Sequence, residues 1–278
     1  MKPYLKWAGG KRTIAPAMKK LYENSGCTRL VEPYCGALSI ALGVDPEAAR
    51  LSDINQHLIN LHINVRDEPE FNKNPPNNSL ESYNRIKARF NELVKSGEIG
   101  KESAEAFYFL NRTCFNGLCR FNKSGEFNVS YGKYKSPIVL SDFSDYKKSL
   151  EKWDFVCEGY TESLKNTNSN DFVFIDSPYD GGGFVSYSES GFTADDQVLS
   201  AKLAADSPSK CVLTNADTPF IRDLYKSLGF MCYQHTMPRM ISCNGKRERA
   251  KEIIAFKGFL KKDIESIRPL LTDLKKIR

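Results

Sequence analysis

The segment that organises this chain is Phe172-Val173-Phe174-Ile175-Asp176-Ser177-Pro178-Tyr179. Its first four residues are aromatic or β-branched, which predicts a buried strand. A carboxylate, a small residue, a proline and an aromatic ring follow the strand at once. Ligands of open α/β sheets lie just beyond the carboxyl ends of the strands. The segment therefore places an acceptor and a flat ring where such a ligand would bind.

The tetrapeptide at 176–179 suits a planar base that carries an exocyclic amino group. The carboxylate of Asp176 accepts hydrogen bonds only. Ser177 precedes a proline and is therefore held extended, so its carbonyl can point outward as a second acceptor. Tyr179 can stack on a base, a contact worth about 1–3 kcal/mol. The competing interpretation is an aspartate that caps a turn beside a structural proline.

Composition limits the class of protein. The 278 residues suffice for one large α/β domain or for a core with an inserted smaller domain. The 40 basic and 34 acidic residues leave a net charge of +6, which is compatible with a polyanionic partner. Eight cysteines without a CxxC pair predict free thiols in a reduced, cytoplasmic setting. No run of about 20 apolar residues is present, which predicts no membrane span.

The three histidines, His57, His62 and His235, lack the spacing of metal ligands, so no zinc site is predicted. His57 and His62 are five residues apart and are interpreted as ordinary helix residues.

Three N-terminal segments predict a nucleoside site. In residues 4–12, Gly9 and Gly10 precede a basic pair and allow the backbone to approach a ligand closely. Residues 30–42 predict a strand, a turn at Gly36 and a helix. A second short strand ends in Asp53, about 20 residues after the first, where an acid commonly binds ribose hydroxyls. Because no GxxxxGK[ST] motif is present, a nucleoside without phosphates is favoured over NAD or ATP.

The character of the sequence changes between residues 56 and 150. Helices are predicted at 80–96 and 101–113. Residues 111–135 then interleave Asn, Gly, aromatic and basic side chains, with Lys123-Ser124-Gly125 as a hairpin turn. This mixture suits phosphate clamping, stacking and contact with base edges. The alternative is a solvated hairpin on a small helical subdomain.

The remaining segments continue the α/β pattern, with strands at 155–160, 210–215, 230–235 and 252–256 and helices at 193–205 (N-cap Thr193) and 219–228. The glycine-rich loop at 181–191 predicts a mobile segment that can close over a target. The basic tail after 257 carries Ile264, Ile267, Leu271 and Leu274 at helical spacing, which predicts a helix packed on the body.

Taken in order, these motifs resemble the Dam-type DNA adenine-N6 methyltransferases of the α arrangement, over about residues 3 to 257. The matching motifs are Leu5-Lys6-Trp7-Ala8-Gly9-Gly10-Lys11, Glu32-Pro33-Tyr34-Cys35-Gly36, Asp53-Ile54-Asn55, Asn116-Gly117-Leu118-Cys119-Arg120, Gly125-Glu126-Phe127-Asn128-Val129 and Gly132-Lys133-Tyr134. The resemblance implies an α/β fold: a Rossmann-like class I methyltransferase core with an inserted, mainly helical target-recognition domain that carries a β-hairpin.

The same resemblance implies the domains and the activity. Residues 1–55 and 151–260 would form the S-adenosylmethionine-binding catalytic domain, 56–150 the DNA target-recognition domain and 261–278 a basic tail. The expected reaction moves a methyl group from S-adenosylmethionine to N6 of a flipped-out adenine in double-stranded DNA, at GATC or a relaxed site. The protein is expected to be a monomer without a metal. It is expected to be encoded by a bacterium or a phage, to associate with the nucleoid and to belong to a restriction-modification context.

Carried over residue by residue, the resemblance implies three sets of site residues. The catalytic set is Asp176, Ser177, Pro178 and Tyr179. The cofactor-binding set is Trp7, Ala8, Gly9, Lys11 (at the methionine carboxylate), Tyr34, Cys35, Gly36, Ala37, Ser39, Asp53 (at the ribose hydroxyls), Ile54 (on the adenine), Glu158, Gly159, Tyr160 and Asp176. The DNA-binding set is Arg112, Phe115 (the wedge), Asn116, Leu118, Arg120, Asn128, Ser130, Lys133, Tyr134, Lys246 and Arg247.

Two positions depart from the family pattern. The usual tetrapeptide is Asp-Pro-Pro-Tyr, and Ser177 replaces its first proline. Ser130 stands where GATC-specific members carry a proline that contacts a thymine, so the target is GATC, a degenerate relative or nearly any adenine.

Two alternatives to adenine methylation follow from the same motifs. Cytosine-N4 methyltransferases use a Ser-Pro-Pro-Tyr type motif, and a catalytically silent relative would only bind DNA. Cytosine-C5 chemistry is disfavoured because the chain has no Pro-Cys pair. The Lys and Arg residues of the tail are predicted to add non-specific affinity for DNA.

Overall fold

The computed structural model describes residues 1–181, 191–238 and 249–277, except for the side chains of residues 237, 238 and 249. Its strands are β1 (Arg29–Glu32), β2 (Ala49–Asp53), β3 (Trp153–Cys157), β4 (Asp171–Ile175), β5 (Lys210–Ala216), β6 (Met231–Pro238), β7 (Arg249–Lys257) and β8 (Lys275–Lys276). Its helices are α1 (Ala15–Ser25), α2 (Ala41–Val44), α3 (Gln56–Asp67), α4 (Leu80–Ser96), α5 (Lys101–Thr113), α6 (Ser144–Leu150), α7 (Tyr160–Lys165), α8 (Ala194–Asp206), α9 (Pro219–Ser227) and α10 (Lys261–Ile267).

One sheet forms the centre of the fold, with the strand order β3-β2-β1-β4-β5-β7-β6-β8. The first five strands are parallel, whereas β7 lies antiparallel between β5 and β6. β4, the strand of the organising segment, is buried along its whole length. The strand order reverses between β1 and β4, which is the switch point where ligands of such sheets bind. The predicted Rossmann-like methyltransferase core is therefore confirmed.

The helices predicted from local pattern are confirmed almost to the residue. α4 and α5 match the predicted ranges, and α9 ends at Ser227. Thr193 caps α8 as predicted, because its hydroxyl accepts a hydrogen bond from the amide of Asp196 at 3.2 Å.

Between α3 and β3 the chain leaves the sheet and forms an insert, residues 68–150. The insert contains α4, α5, α6 and a 3-10 turn at Phe115–Gly117, around buried aromatic side chains such as Phe90 and Phe107. The predicted turn at Gly125 is present, and the amide of Asn122 donates to the carbonyl of Glu126 at 2.9 Å.

The strand pairing of the predicted hairpin is reduced to single bridges, Cys114 with Tyr131 and Phe121 with Phe127. Asn91 of α4 takes over part of that pairing, since its side chain accepts from the amide of Phe127 at 2.8 Å. It also donates to the Phe127 carbonyl at 3.2 Å. The hairpin is thus attached to α4.

The C-terminal segment packs on the core. Ile264, Ile267, Leu271 and Leu274 are all buried, but the helix ends at Ile267 because a proline follows at position 269. β8 then extends the sheet beside β6.

Two predicted features lie outside the described residues: most of the glycine-rich loop at 181–191, and the basic segment that contains Lys246 and Arg247. Among the helices of the described ranges, none combines the length and the apolar character that a membrane span requires.

Candidate active site

The tetrapeptide begins where β4 ends, and its carboxylate is held from two sides. Oδ1 of Asp176 accepts a hydrogen bond from the hydroxyl of Thr214 on β5 at 2.7 Å. The ammonium of Lys11 lies 3.0 Å from the same oxygen, and the Lys11 side chain is only 5% exposed. Both contacts are made with Oδ1 and fix the orientation of the carboxylate. Neither Thr214 nor Lys11 uses Oδ2 in these contacts.

Side-chain amides hold the backbone of the tetrapeptide. Gln197 of α8 donates to the carbonyl of Pro178 at 2.7 Å and accepts from the side chain of Asn215 at 2.9 Å. Asn215 in turn accepts from the amide of Asp180 at 2.9 Å. Ser177 is buried, and its hydroxyl lies 3.5 Å from the Gln197 side-chain oxygen. Ser177 thus contributes a side-chain contact to Gln197, whereas a proline at this position would have made the backbone more rigid.

The ring of Tyr179 is fixed by its hydroxyl and covered on one face. The hydroxyl donates to Oε2 of Glu252 on β7 at 2.7 Å. The ammonium of Lys11 lies 4.7 Å from the ring centroid, within the range of a cation–π contact. Burial and the nearby carboxylates of Asp176 and Glu252 raise the pKa of Tyr179 well above its usual value, so it remains a hydroxyl donor.

One strand away, the turn after β1 forms a close-packed loop. Gly36 has φ +47°, and a Cβ there would lie 3.1 Å from the indole of Trp7. A Cβ on Gly10 would similarly lie 3.1 Å from the hydroxyl of Ser39. The N-terminal segment therefore packs directly on the turn, which brings together two of the motifs predicted to bind the cofactor.

His62 holds the same turn from behind. Its Nε2 donates to the carbonyl of Gly36 at 2.8 Å, and its Nδ1 accepts from the hydroxyl of Tyr4. Burial lowers the pKa of His62 to about 4, so the ring is neutral and can serve as donor and acceptor at once. The interpretation as an ordinary helix residue missed this contact between α3 and the turn.

Asp53 and Ile54 follow β2 and combine a carboxylate with an exposed apolar side chain. The two oxygens of Asp53 accept from the amides of Gly36 at 3.3 Å and Asn55 at 3.0 Å. Burial raises the pKa of Asp53 to about 6. Ile54 is 55% exposed, which is unusual for isoleucine. Carboxylate, apolar side chain and a left-handed glycine fit a nucleoside with ribose hydroxyls.

Lys11, Glu158 and Tyr160 already have partners within the protein. Besides Asp176, Lys11 donates to the carbonyl of Gly9 at 2.8 Å. Glu158 forms an ion pair with Arg50 at 2.8 Å. The ring of Tyr160 stacks on that of Tyr34 at a centroid distance of 5.8 Å. The roles of these residues at the cofactor stay predictions. The other residues of this set are the exposed Ala8 and Gly9, the half-buried Gly159 and the buried Cys35 and Ala37.

In the insert, Phe115 projects from the 3-10 turn and is 53% exposed. Tyr134 lies behind that turn, where its hydroxyl accepts from the amide of Asn116 at 2.9 Å. Lys6 lies over the Tyr134 ring, 3.7 Å from its centroid. Gly117 has φ +64° and packs so tightly on Lys6 that no side chain would fit. The turn that presents Phe115 is thus attached to the N-terminal segment of the chain.

The other predicted DNA contacts differ in exposure. Arg120 is exposed and braced, since it donates to the side chain of Asn128 at 2.7 Å and to its carbonyl at 3.2 Å. Ser130 is exposed, and its carbonyl accepts from the amide of Phe115 at 2.8 Å. The remaining members are the exposed Lys133 and the half-buried Arg112 and Leu118.

Comparison with known proteins decides the family. The family model described as D12 class N6 adenine-specific DNA methyltransferase matches residues 7–239. The chain belongs to this family.

Similar relatives agree with that assignment. The DNA adenine methylase of Vibrio cholerae is 32% identical over 269 residues, which cover 91% of this chain and 94% of the relative. The retron Ec67 DNA adenine methylase of Escherichia coli is 35% identical over 267 residues, which cover 93% and 92%. The DNA N-6-adenine-methyltransferase of Escherichia phage P1 is 32% identical over 254 residues, which cover 86% and 33%. The prediction of an adenine-N6 DNA methyltransferase, an enzyme whose substrate is DNA, is confirmed.

Several polar residues of this D12-class methyltransferase were missed from the sequence. They support the tetrapeptide or the turn: His62, Gln197, Thr214, Asn215 and Glu252. Thr214 and Asn215 carried one signal, since they are polar residues at the end of an otherwise apolar strand. Within the described residues, no three His, Cys, Asp or Glu side chains converge as a metal site would require.

Glu32, which belongs to a matched motif but had no predicted role, has an unusual environment. It is 3% exposed at the end of β1, and its Oε1 has no hydrogen-bond partner among the described residues. Burial, with the Asp176 carboxylate nearby, raises the pKa of Glu32 to about 8, so this methyltransferase keeps a neutral acid beside its site.

Proposed function

We propose that this methyltransferase transfers a methyl group from S-adenosylmethionine to N6 of an adenine that has been flipped out of double-stranded DNA. The observation that carries the proposal is the arrangement at the switch point of the sheet. Asp176, fixed by Lys11 and Thr214, follows β4, while the turn at Gly36 follows the neighbouring β1. An acceptor for an amino group and a nucleoside-shaped turn thus lie on adjacent strands.

The chain's own residues bind and activate the amino group. The N6 lone pair of adenine is delocalised into the ring. Acceptance of the two N–H bonds by Oδ2 of Asp176 and the carbonyl of Ser177 would draw N6 toward a tetrahedral geometry and localise that lone pair. As the new N–C bond forms and the S–C bond breaks, N6 releases one proton, with Asp176 as the adjacent acceptor. Gln197 contributes by fixing the backbone that presents the carbonyl.

The cofactor would lie along the ends of β1 and β2. Its sulfonium supplies an electrophilic methyl group when it is bound. Asp53 would accept hydrogen bonds from the ribose hydroxyls, and Ile54 would pack on the adenine. The turn at 34–39, held by Trp7 and His62, would enclose the methionine part. The carboxylate of Asp53 suits the ribose, and the exposed side chain of Ile54 suits the adenine. The positive φ of Gly36 suits a close approach of the methionine part.

Flipping the base requires an opening of the stack and a place for the base. Phe115 is exposed on an anchored turn and suits the role of a wedge. Tyr179 offers a ring on which the flipped base can stack. The target is GATC or a relaxed relative, because Ser130 supplies no apolar contact to a thymine methyl group. We propose a monomer, encoded by a bacterium or a phage, that acts in the cytoplasm.

Single-molecule sequencing of plasmid DNA tests the proposal. The plasmid is taken from a methylation-deficient host that expresses the wild-type chain, with Asp176→Ala as the matched control. We expect N6-methyladenine at one short motif, or in many contexts if discrimination is lost, and a loss of more than about 100-fold in the variant. Purified Asp176→Ala should still bind DNA. N4-methylcytosine, or no modified base from the wild type, would overturn the proposal.

A further inference from the structure

The hydroxyl of Tyr179 is bound by a residue that belongs to no matched motif. Glu252 lies on β7, two strands from β4 in the sheet, because β5 stands between them. Its Oε2 accepts from the Tyr179 hydroxyl at 2.7 Å, across 73 residues of sequence. The ring that follows β4 is therefore anchored to a different part of the sheet from the rest of the tetrapeptide.

The environment of Glu252 strengthens this contact. Glu252 is half-buried and pairs in register with Ala216 of β5 and with His235 of β6. His235 is 2% exposed, and directly opposed residues of an antiparallel pair project from the same face of the sheet. The buried histidine thus limits the access of solvent to the carboxylate from that side, where water would otherwise compete for the hydrogen bond.

The two faces of the Tyr179 ring are not equivalent. The ammonium of Lys11 lies 4.7 Å from the centroid and is itself held by Asp176. A ring anchored at its hydroxyl and covered by Lys11 on one face has one remaining face for a planar partner. The hydroxyl contact fixes the position of the ring, since rotation about the Cα–Cβ bond would break it, and the Lys11 contact determines which face is covered.

From this geometry we infer that Glu252 is a positioning residue for methyl transfer: it holds the Tyr179 ring as a wall against which the target base stacks beside Asp176. The inference rests on the proposed function, since it assigns a role within that same site. Glu252 touches neither the base nor the cofactor in this role and acts only through Tyr179.

A double-mutant cycle tests the inference. Tyr179→Phe keeps the ring and removes the hydroxyl, and Glu252→Ala removes the acceptor. We expect each to lower kcat about tenfold with little change in the KM for DNA, and the double variant to be no slower than either one. Glu252→Gln, which keeps an acceptor oxygen, should recover most of the activity. Glu265→Ala, an exposed glutamate on α10, is the matched control.

A spectroscopic readout separates positioning from a general loss of structure. DNA with 2-aminopurine at the target position fluoresces when that base leaves the stack and is quenched when it stacks on an aromatic ring. Tyr179→Phe and Glu252→Ala should both bind this DNA and leave its fluorescence higher than the wild type does. Thermal unfolding of each variant shows whether the fold is intact, and Tyr179→Phe and Glu252→Gln keep the test decisive if Glu252→Ala does not fold.

Three outcomes would overturn the inference: unchanged kcat in Tyr179→Phe, multiplicative losses in the double variant, or equal quenching in the wild type and both variants. Absence of methylation by the wild-type chain would instead refute the proposed function, so the two failures are distinguishable.

Discussion

The tetrapeptide at 176–179 and the hairpin region at 111–135 of the insert differ in how they are stabilised. Partners of the tetrapeptide come from distant parts of the chain, since Asp176 bonds a threonine 38 residues away and Tyr179 a glutamate 73 residues away. The exposed side chains of the hairpin are braced locally, since Arg120 bonds a residue 8 positions away and Asn122 one 4 positions away, whereas its buried side is held by Asn91 of α4 from 36 residues away.

Exposure follows the same division. The tetrapeptide's supports, such as Asn215 and Gln197, are buried, whereas Phe115, Arg120 and Ser130 are exposed. Buried, interlocked polar groups leave little freedom to change one residue at a time. A locally braced surface tolerates replacement. If Phe115, Arg120 and Ser130 contact DNA as proposed, the chemistry of this methyltransferase is fixed by the fold, whereas its sequence preference can change with few substitutions.

The sharpest test of this contrast removes one brace from each region. Gln197→Met keeps the length of the side chain and loses both amide contacts, so the Pro178 carbonyl is no longer held and the backbone that carries the Ser177 carbonyl loses this support. We expect kcat to fall about 100-fold, as for a misplacement of about 1 Å in a site. Asn128→Ala, which releases Arg120, should leave kcat nearly unchanged and broaden the set of methylated sequences. Both are measured by single-turnover methylation of oligonucleotides, with thermal unfolding as a control for structure.

A larger loss of kcat in Asn128→Ala than in Gln197→Met would contradict the division between a rigid site and a replaceable surface.

Within the insert, we expect Phe115 to contribute more to activity than another exposed apolar side chain does. Phe115→Ala removes the ring that we propose fills the gap left by the flipped base, and stacking on a base is worth about 1–3 kcal/mol. We expect kcat/KM to fall about tenfold to a hundredfold. Ile138→Ala is the matched control, because Ile138 is 66% exposed in the same insert. Equal effects of the two substitutions would show that Phe115 is only one apolar surface residue among others.

We expect binding of the cofactor at Asp53 to depend on pH. Because the pKa of Asp53 is raised to about 6, its carboxylate is ionised above that pH and becomes protonated as the pH falls through it. If the ionised form binds the ribose hydroxyls, affinity for S-adenosylmethionine should be constant above about pH 7 and about tenfold weaker at pH 5. Titration calorimetry measures this dependence, and Asp53→Asn should flatten it. A wild-type affinity that stays constant down to pH 5 would remove Asp53 from that role.

How far the sequence could predict this molecule follows the same division between local and distant contacts. α4, α5 and the cap of α8 depend on neighbours within a few residues, and their boundaries were predicted correctly. The strand of the organising segment and the turn at Gly36 were recognised for the same reason. Motif order then sufficed to predict the family.

The supports of the site depend on sheet register and could not be predicted. Nothing near Glu252 in the sequence indicates that β7 would insert beside β5 and bring its carboxylate to Tyr179. Lys11 was expected at a ligand carboxylate, but in this structure its ammonium lies on Asp176, 165 positions further along the chain. His62 was passed over because its partners, Tyr4 and the Gly36 carbonyl, are 58 and 26 residues away.

The C-terminal segment should show the smallest effect. The sequence predicts that its basic residues add non-specific affinity for DNA, and deleting 262–278 would be the direct test. That deletion would also remove four buried apolar side chains, each worth roughly 1.5–3 kcal/mol, so it would unfold the protein. Charge neutralisation at exposed positions is the cleaner experiment: Lys261→Gln, Lys262→Gln, Lys275→Gln and Lys276→Gln together.

The position of this segment limits the expected result. β8 lies at one edge of the sheet, whereas the insert contacts α3, which packs on β2 and β3 near the other edge. Four strand spacings, on the order of 20 Å, separate β8 from β4. DNA that contacts both the tetrapeptide and the insert would therefore extend away from the tail. We expect the slope of log K against log salt to change by less than about 0.9, the value of one phosphate contact. A change in slope that corresponds to two phosphate contacts or more would show that the DNA continues past β4 toward β8. The edge of the sheet that carries β8 would then also contact the duplex.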